Sequence, residues 1–192
     1  MNEDLKYRKA EPADAERIME IIRQAQAQMR ALGSLQWQDG YPARADIDRD
    51  IARGYGYVFE KSDAAENPAA AETPQKYDKG TVPGGVIAYG AAVFDGEPAY
   101  GAIDGAWLTG GDYVVLHRLA VADGEKGRGV AAEFMRRTEA LARGRGVGSF
   151  RVDTNFDNRY MLRMLERLRF AYCGKIIYES GERLAFEKPL EA

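Results

Sequence analysis

The sequence predicts an α/β chain of the α+β kind, a mixed and mostly antiparallel central sheet flanked by helices. Three observations carry that expectation. A short strand-like segment at Leu5 to Arg8 passes into a long stretch of helical periodicity. Residues 113–146 pass from an apolar strand through a glycine-bearing turn into an amphipathic helix, and a second strand and helix follow directly. The last segment reads as two strands joined around Ser180-Gly181, which pairs them antiparallel.

Taken in order, Leu5 to Arg8 is the first strand, and Ile18, Ile21, Ile22, Ala25, Met29 and Leu32 then fall on one helical stripe. Pro12 suits the first turn, where an N–H has no partner to lose, and Gly33 suits the end. Residues 34–42, SLQWQDGYP, form an aromatic loop, Asp46 to Arg53 a short second helix, and Tyr55 to Lys61 the next strand. Residues 62–83 are rich in Ala, Glu, Pro and Lys with almost no large apolar side chain. They read as a flexible, exposed insertion between adjacent strands of a single domain over residues 1–192. Val86 to Phe94 is a central strand, and Tyr100 to Leu108 a further strand or a bulged turn. Phe150 to Asp153 is a strand, Asp157 or Asn158 caps the next helix, and Met161, Met164, Leu165 and Leu168 share its inner face. Ala171 to Tyr178 and Arg183 to Pro189 close the sheet.

Composition narrows the function classes. A formal charge of −3 over 192 residues and a pI near 5.4 provide no global attraction to nucleic acid or to an anionic membrane. Cys173 is the only cysteine, so no internal disulfide forms and a reducing compartment suits the chain. No signal-like apolar segment opens the sequence, and no run of about 18 apolar residues suggests a membrane span. A cytoplasmic, soluble protein is expected. One Cys and one His speak against a zinc site, so no metal is expected.

The glycine-bearing turn is the strongest functional signal. A strand, a glycine turn and a helix start place unpaired backbone N–H groups and the positive end of the helix dipole together, which makes an anion site. A nucleoside-triphosphate loop needs Gly-Lys-Ser/Thr, and none follows. Gly127-Arg128-Gly129-Val130-Ala131-Ala132 also reads as the dinucleotide pattern GxGxxA, with Asp153 near the offset of a ribose-binding acid. Ala122 to Lys126 separate the strand from the first glycine, and only one further helix follows Asp153, which argues against a dinucleotide half-domain. Lys126, Arg128, Arg136, Arg137, Arg143 and Arg145 cluster around this turn and helix, either toward a polyanion or as a solvated helix face.

Lys126-Gly127-Arg128-Gly129-Val130-Ala131 resembles the pyrophosphate loop of the GNAT superfamily of N-acetyltransferases, Gln/Arg-x-x-Gly-x-Gly/Ala, with Lys126 in the first position. Asn158 and Phe170 resemble the asparagine that opens the second site helix and the phenylalanine after its end, while Arg169 stands at the family's glycine. The resemblance implies the acyl-CoA N-acyltransferase fold, acetyl-CoA as cosubstrate, and a strand at Leu119, Ala120 and Val121 whose main chain pairs with pantetheine and polarises the thioester carbonyl. It implies pyrophosphate binding by Lys126, Gly127, Arg128, Gly129, Val130 and Ala131, and a place for Asn158 beside the pantetheine.

An acetyl transfer to an amine also needs the ammonium deprotonated. His117, the only histidine, lies two residues before Leu119 and is read as sharing a strand face with Val115, Leu119 and Val121. It is the candidate general base, the alternative being a histidine packed beneath the cofactor. The family's usual tyrosine acid falls at Leu165, which leaves Tyr160 as a weak candidate acid or a packing residue. Trp37, Tyr41 and Trp107 are candidates for an acceptor pocket or for apolar cover, and Asp39 and Asp104 for attraction of a cationic amine. The function expected is N-acetylation of a primary amine on a small molecule, a peptide N-terminus or a lysine. The alternative is an acyl-CoA-binding module without turnover. Partners expected are acetyl-CoA, an amine acceptor and, as a candidate, a second copy of the chain; nucleic acid and membrane are not expected.

Overall fold

A computed structural model describes residues 5–62 and 85–190. Helix α1 (Ala15–Ala31) follows strand β1 (Leu5–Lys9), and helix α2 (Arg44–Ala52) precedes β2 (Gly56–Lys61). Strand β3 (Gly85–Val93) is followed by a 3-10 turn at Pro98–Ala102, the two-residue β4 (Asp104–Gly105) and β5 (Val114–Val121). Helix α3 (Val130–Gly144), β6 (Ser149–Thr154), α4 (Arg159–Arg167), β7 (Ala171–Tyr178) and β8 (Gly181–Pro189) complete the order. The region expected as Tyr100 to Leu108 is thus mostly turn with a minimal strand. Apart from Ser62, the insertion expected over residues 62–83 lies outside the described residues.

The sheet runs β1-β2-β3-β5-β6-β8-β7-β4, antiparallel throughout except where β5 meets β6. That one parallel contact is short: Val114 pairs with Phe150 and Val115 with Arg151, after which the two strands part. Apolar side chains from α3 and α4, including Phe134, Met135 and Leu165, cover one face with Leu116 and Val121. Ile18, Ile21, Ile22 and Ile47 of α1 and α2 cover the other with Ala120 and Ala122. The stripe on α1 is buried as expected through Ala25, whereas Leu32 is its exposed C-cap. Among the described residues no helix is long and apolar enough to cross a membrane.

Strand β5 carries an extra residue. Ala91 of β3 faces His117 and Tyr89 faces Ala120, so three steps along β5 match two along β3. Arg118 takes the slack with a left-handed φ of 55°. Such a bulge resets the alternation of side chains. Here it corrects the sequence reading of His117. His117 stays with Val115 and Ala120 on the α1–α2 face, while Leu116, Leu119 and Val121 point to the α3–α4 face. Strict period-two counting cannot detect an inserted residue.

Candidate active site

The chain leaves β5 through a 3-10 turn at Asp123–Glu125 and reaches α3 by Gly127 (φ 77°) and Gly129 (φ 81°). Both glycines take the left-handed conformation that other residues adopt at a cost, and a β-carbon on either would meet nothing within 4 Å. The space before the loop is therefore open. Gly129 caps α3, and its carbonyl accepts the first helical bond from the Glu133 N–H at 3.0 Å. The amides of Val130, Ala131 and Ala132 have no partner within the helix and form the positive end of its dipole.

At the second helix the asparagine is the cap. Asn158 Oδ1 accepts from the Met161 N–H at 3.2 Å, and its Nδ2 donates to Gln36 Oε1 at 3.2 Å. Asp157 instead accepts from the Ser34 hydroxyl at 2.8 Å, so the loop after α1 is tied to the start of α4. One residue beyond the α4 C-cap, Arg169 takes a φ of 63°, a left-handed turn that glycine adopts more readily. Its N–H donates to Glu166 and that of Phe170 to Leu165, which turns Phe170 inward onto Phe150 at 5.1 Å between ring centres.

These elements enclose one cleft of about 660 Å³. Leu119, Ala120 and Val121 line it from the stretch of β5 that pairs with β3 but has parted from β6, and Lys126, Gly127, Gly129, Val130 and Ala131 from the loop and α3. Asn158, Tyr160, Met161 and Met164 line it from α4, and Met29 and Leu32 from the end of α1. Of the loop residues singled out in the sequence, only Arg128 is outside the lining; its side chain is 58% exposed and approaches Glu125 at 3.5 Å. The basic residues further on behave as a helix face. Arg136 and Arg137 pair with Glu133, Arg143 with Glu139, and Arg145 reaches the Tyr57 hydroxyl and stacks 4.0 Å over Phe94.

His117 does not line the cleft but sits two residues from it, beside the part of β5 that has left β6. Its Nε2 lies 3.2 Å from Glu97 Oε2, with both side chains about four-fifths buried. The His117 ring holds the Glu97 carboxyl below the ordinary carboxylate range, outweighing burial, and the Ala99 N–H assists. Sequence reasoning missed Glu97. It precedes Pro98 at the start of a 3-10 turn, which marks it as a cap and carries no hint of the histidine.

The acceptor candidates separate, and none lines the cleft. Trp37 packs on the α1–α2 core. Tyr41 is 44% exposed and its hydroxyl accepts from Arg118 at 2.8 Å, which joins the aromatic loop to the bulge. Trp107 belongs to a separate cluster: its Nε1 donates to the Tyr100 carbonyl, and its ring covers the guanidinium of Arg151 at 4.4 Å. Arg151 in turn pairs with the fully buried Glu187 at 3.2 Å. Leu165, where the resemblance expects a tyrosine, is fully buried, while Tyr160 is 60% exposed at the rim. Among the described residues no group of three or more His, Cys, Asp or Glu side chains is placed to hold a metal.

This geometry matches known proteins. Residues 29–170 match the acetyltransferase (GNAT) family. A GNAT-family acetyltransferase from Streptococcus agalactiae 2603 is 32% identical, with a TM-score of 0.79 over 99% of this chain and 98% of that one. More distant folds include the NatC complex bound to Gag peptide and CoA, at 13% identity and TM-score 0.63 over 98% and 99%. Another is the ribosomal-protein-S18-alanine N-acetyltransferase of Escherichia coli, at 11% and 0.58 over 98% and 95%. A comparison with curated protein sequences finds no match. With a family match over most of its length and a GNAT relative sharing nearly a third of its residues, the chain belongs to the GNAT family of acetyltransferases.

Proposed function

We propose that the protein moves an acetyl group from acetyl-CoA to a primary amine by direct attack. One observation carries this reading: a single cleft joins the stretch of β5 that has parted from β6, the glycine loop and the capped start of α4. The residues suit the cosubstrate. The open space before Gly127 and Gly129 and the free amides of α3 suit a pyrophosphate, with Lys126 adding charge. Leu119, Val121, Met161 and Met164 offer apolar walls to a pantetheine arm, and the backbone of β5 beyond Val115 has edge groups free of β6. Bound acetyl-CoA supplies the acyl group as a thioester. His117 would take the proton from the incoming ammonium, and a main-chain N–H near Leu119 would polarise the thioester carbonyl. Acceptors of this class are small amines, peptide N-termini and lysine side chains.

A second reading, an acyl-CoA-binding module without turnover, is favoured by one feature: the buried Leu165 at the position of the usual acid. Thermal unfolding with acetyl-CoA, CoA and NADH in separate samples tests the cofactor. A ligand at about 100 times its Kd stabilises by roughly 2.7 kcal/mol, or about 5 to 11 °C in a domain of this size. A shift with NADH alone overturns the reading. Release of free CoA with a panel of primary amines, above hydrolysis, then excludes the silent module.

A further inference from the structure

We infer that Glu97 is a positioning residue for His117, holding the imidazole with Nε2 occupied so that Nδ1 is the nitrogen left to accept a proton. The inference rests on the transferase reading above and adds a residue to it. Three features of Glu97 and one of the His117 ring support it. It starts the 3-10 turn Pro98–Ala102, so its backbone is fixed, and its own N–H donates to the Tyr113 hydroxyl at 3.1 Å. Its Oε1 accepts from the Ala99 N–H at 3.3 Å, which leaves Oε2 to face His117 Nε2 at 3.2 Å. The carboxylate is kept ionised, its pKa held down first by the ring and then by the Ala99 amide against the pull of burial. Among the described residues no other side chain forms a hydrogen bond or ion pair with the ring.

The placement of the pair matters as much as its geometry. His117 is the last residue before the bulge, and Leu119 just beyond it is the first residue of β5 to line the cleft. An ionised carboxylate on one imidazole nitrogen fixes both the tautomer and the ring plane, which frees the other nitrogen to act as a base. In the step this serves, one proton passes from the acceptor's ammonium to Nδ1 and later to solvent. The amine forms the C–N bond as the C–S bond breaks, and the second amine proton leaves with the CoA thiol. Protons and electron pairs balance without a redox partner.

Two measurements test the inference. Because His117 is the only histidine, its ring nitrogens give unambiguous ¹⁵N resonances in the intact protein without any ligand. The neutral ring is expected almost wholly as the Nε2–H tautomer in the wild type, and as a mixture in Glu97→Gln. A mixture in the wild type overturns the inference whatever the activity. The second measurement is a double-mutant cycle in amine acetylation. Glu97→Gln should lower kcat about tenfold with KM for acetyl-CoA within about twofold, whereas His117→Ala should cost about a hundredfold or more. In the His117→Ala background Glu97→Gln should cost nothing further. An equal loss in both backgrounds means a structural role and overturns the proposal. A wild type that acetylates no amine in the panel fails the transferase reading instead, and the tautomer measurement still judges the pair.

Discussion

Arg118 and Asp50 are joined by two short hydrogen bonds, Nε to Oδ2 at 2.7 Å and Nη2 to Oδ1 at 2.6 Å, between strand β5 and helix α2. Their side chains are 14% and 6% exposed, and the Tyr89 hydroxyl donates to the same carboxylate at 2.6 Å. Arg118 is the bulge residue, in a left-handed conformation that costs a non-glycine residue about 1–2 kcal/mol. A two-bonded guanidinium on a buried carboxylate is strong and directional. The pair therefore holds a strained turn in place immediately before the cleft, and Tyr41 connects it to the loop after α1.

Asp50→Asn leaves the guanidinium buried against a neutral amide and should destabilise the fold by about 3 kcal/mol. Urea unfolding of both proteins at pH 7 measures this. A loss below about 1 kcal/mol would show that the bulge persists without the charge pair.

Gly129→Asp should abolish CoA binding by placing a carboxylate before the open amides of α3. Gly129→Asn is the control, since asparagine tolerates the left-handed φ of 81° and a side chain has room, with nothing within 4 Å of its β-carbon. Calorimetric titration with CoA should find binding weakened far less in the asparagine variant than in the aspartate one. Equal losses would assign the effect to bulk rather than charge.

The glycine loop, the cap at Asn158 and the strand before them were legible in the sequence because each is a local pattern over a few residues. So were the elements themselves, since apolar periodicity survives folding. The pairings Asp50–Arg118 and Glu97–His117 were not legible, because each joins segments that only the sheet order brings together. The face of His117 was misread for a related reason: one inserted residue at Arg118 reverses all later alternation, and arginine carries no turn signature. Trp107, which the sequence offers equally as pocket lining or apolar cover, covers Arg151, an ion-paired core residue that no spacing announces.

Arg169→Gly should raise stability by about 0.5–1 kcal/mol. Its φ of 63° costs arginine about 1–2 kcal/mol, and glycine's greater freedom in the unfolded chain returns part of that gain. Arg169 is exposed, so little packing is lost. A lower unfolding midpoint in the variant would show that the arginine side chain contributes contacts worth more than the strain.

Acid sensitivity should trace in part to Arg8. Its guanidinium donates to Asp14 at 2.7 Å and Glu60 at 2.8 Å and holds both carboxyls below their ordinary values of 3.8 and 4.5. A depressed folded-state pKa contributes stability above the ordinary value, and that stability is lost as pH falls through the depressed one. These pairs should thus leave stability flat from about pH 6 to 8 and erode it below about pH 4.5. Arg8→Met should shrink the difference in unfolding free energy between pH 7 and pH 3. A drop as large as in the wild type would place the acid sensitivity elsewhere.

Tyr160→Phe should change kcat by less than about threefold at saturating acetyl-CoA, against the hundredfold or more that general acids supply. The helix decides this. Met161, Met164 and Leu168 pack toward the core with the fully buried Leu165, and one residue before Met161 the helix has turned by about 100°. Tyr160 therefore stands at the rim, 60% exposed, bordering both the cleft and a neighbouring hollow lined by Leu32, Phe156 and Arg163. A phenol facing solvent there offers packing to a ligand rather than a held proton. The departing thiolate, with an ordinary pKa of about 8.5, leaves tolerably without one. A large fall in kcat with KM unchanged would instead mean that α4 rotates when acetyl-CoA binds, bringing Tyr160 to the sulfur.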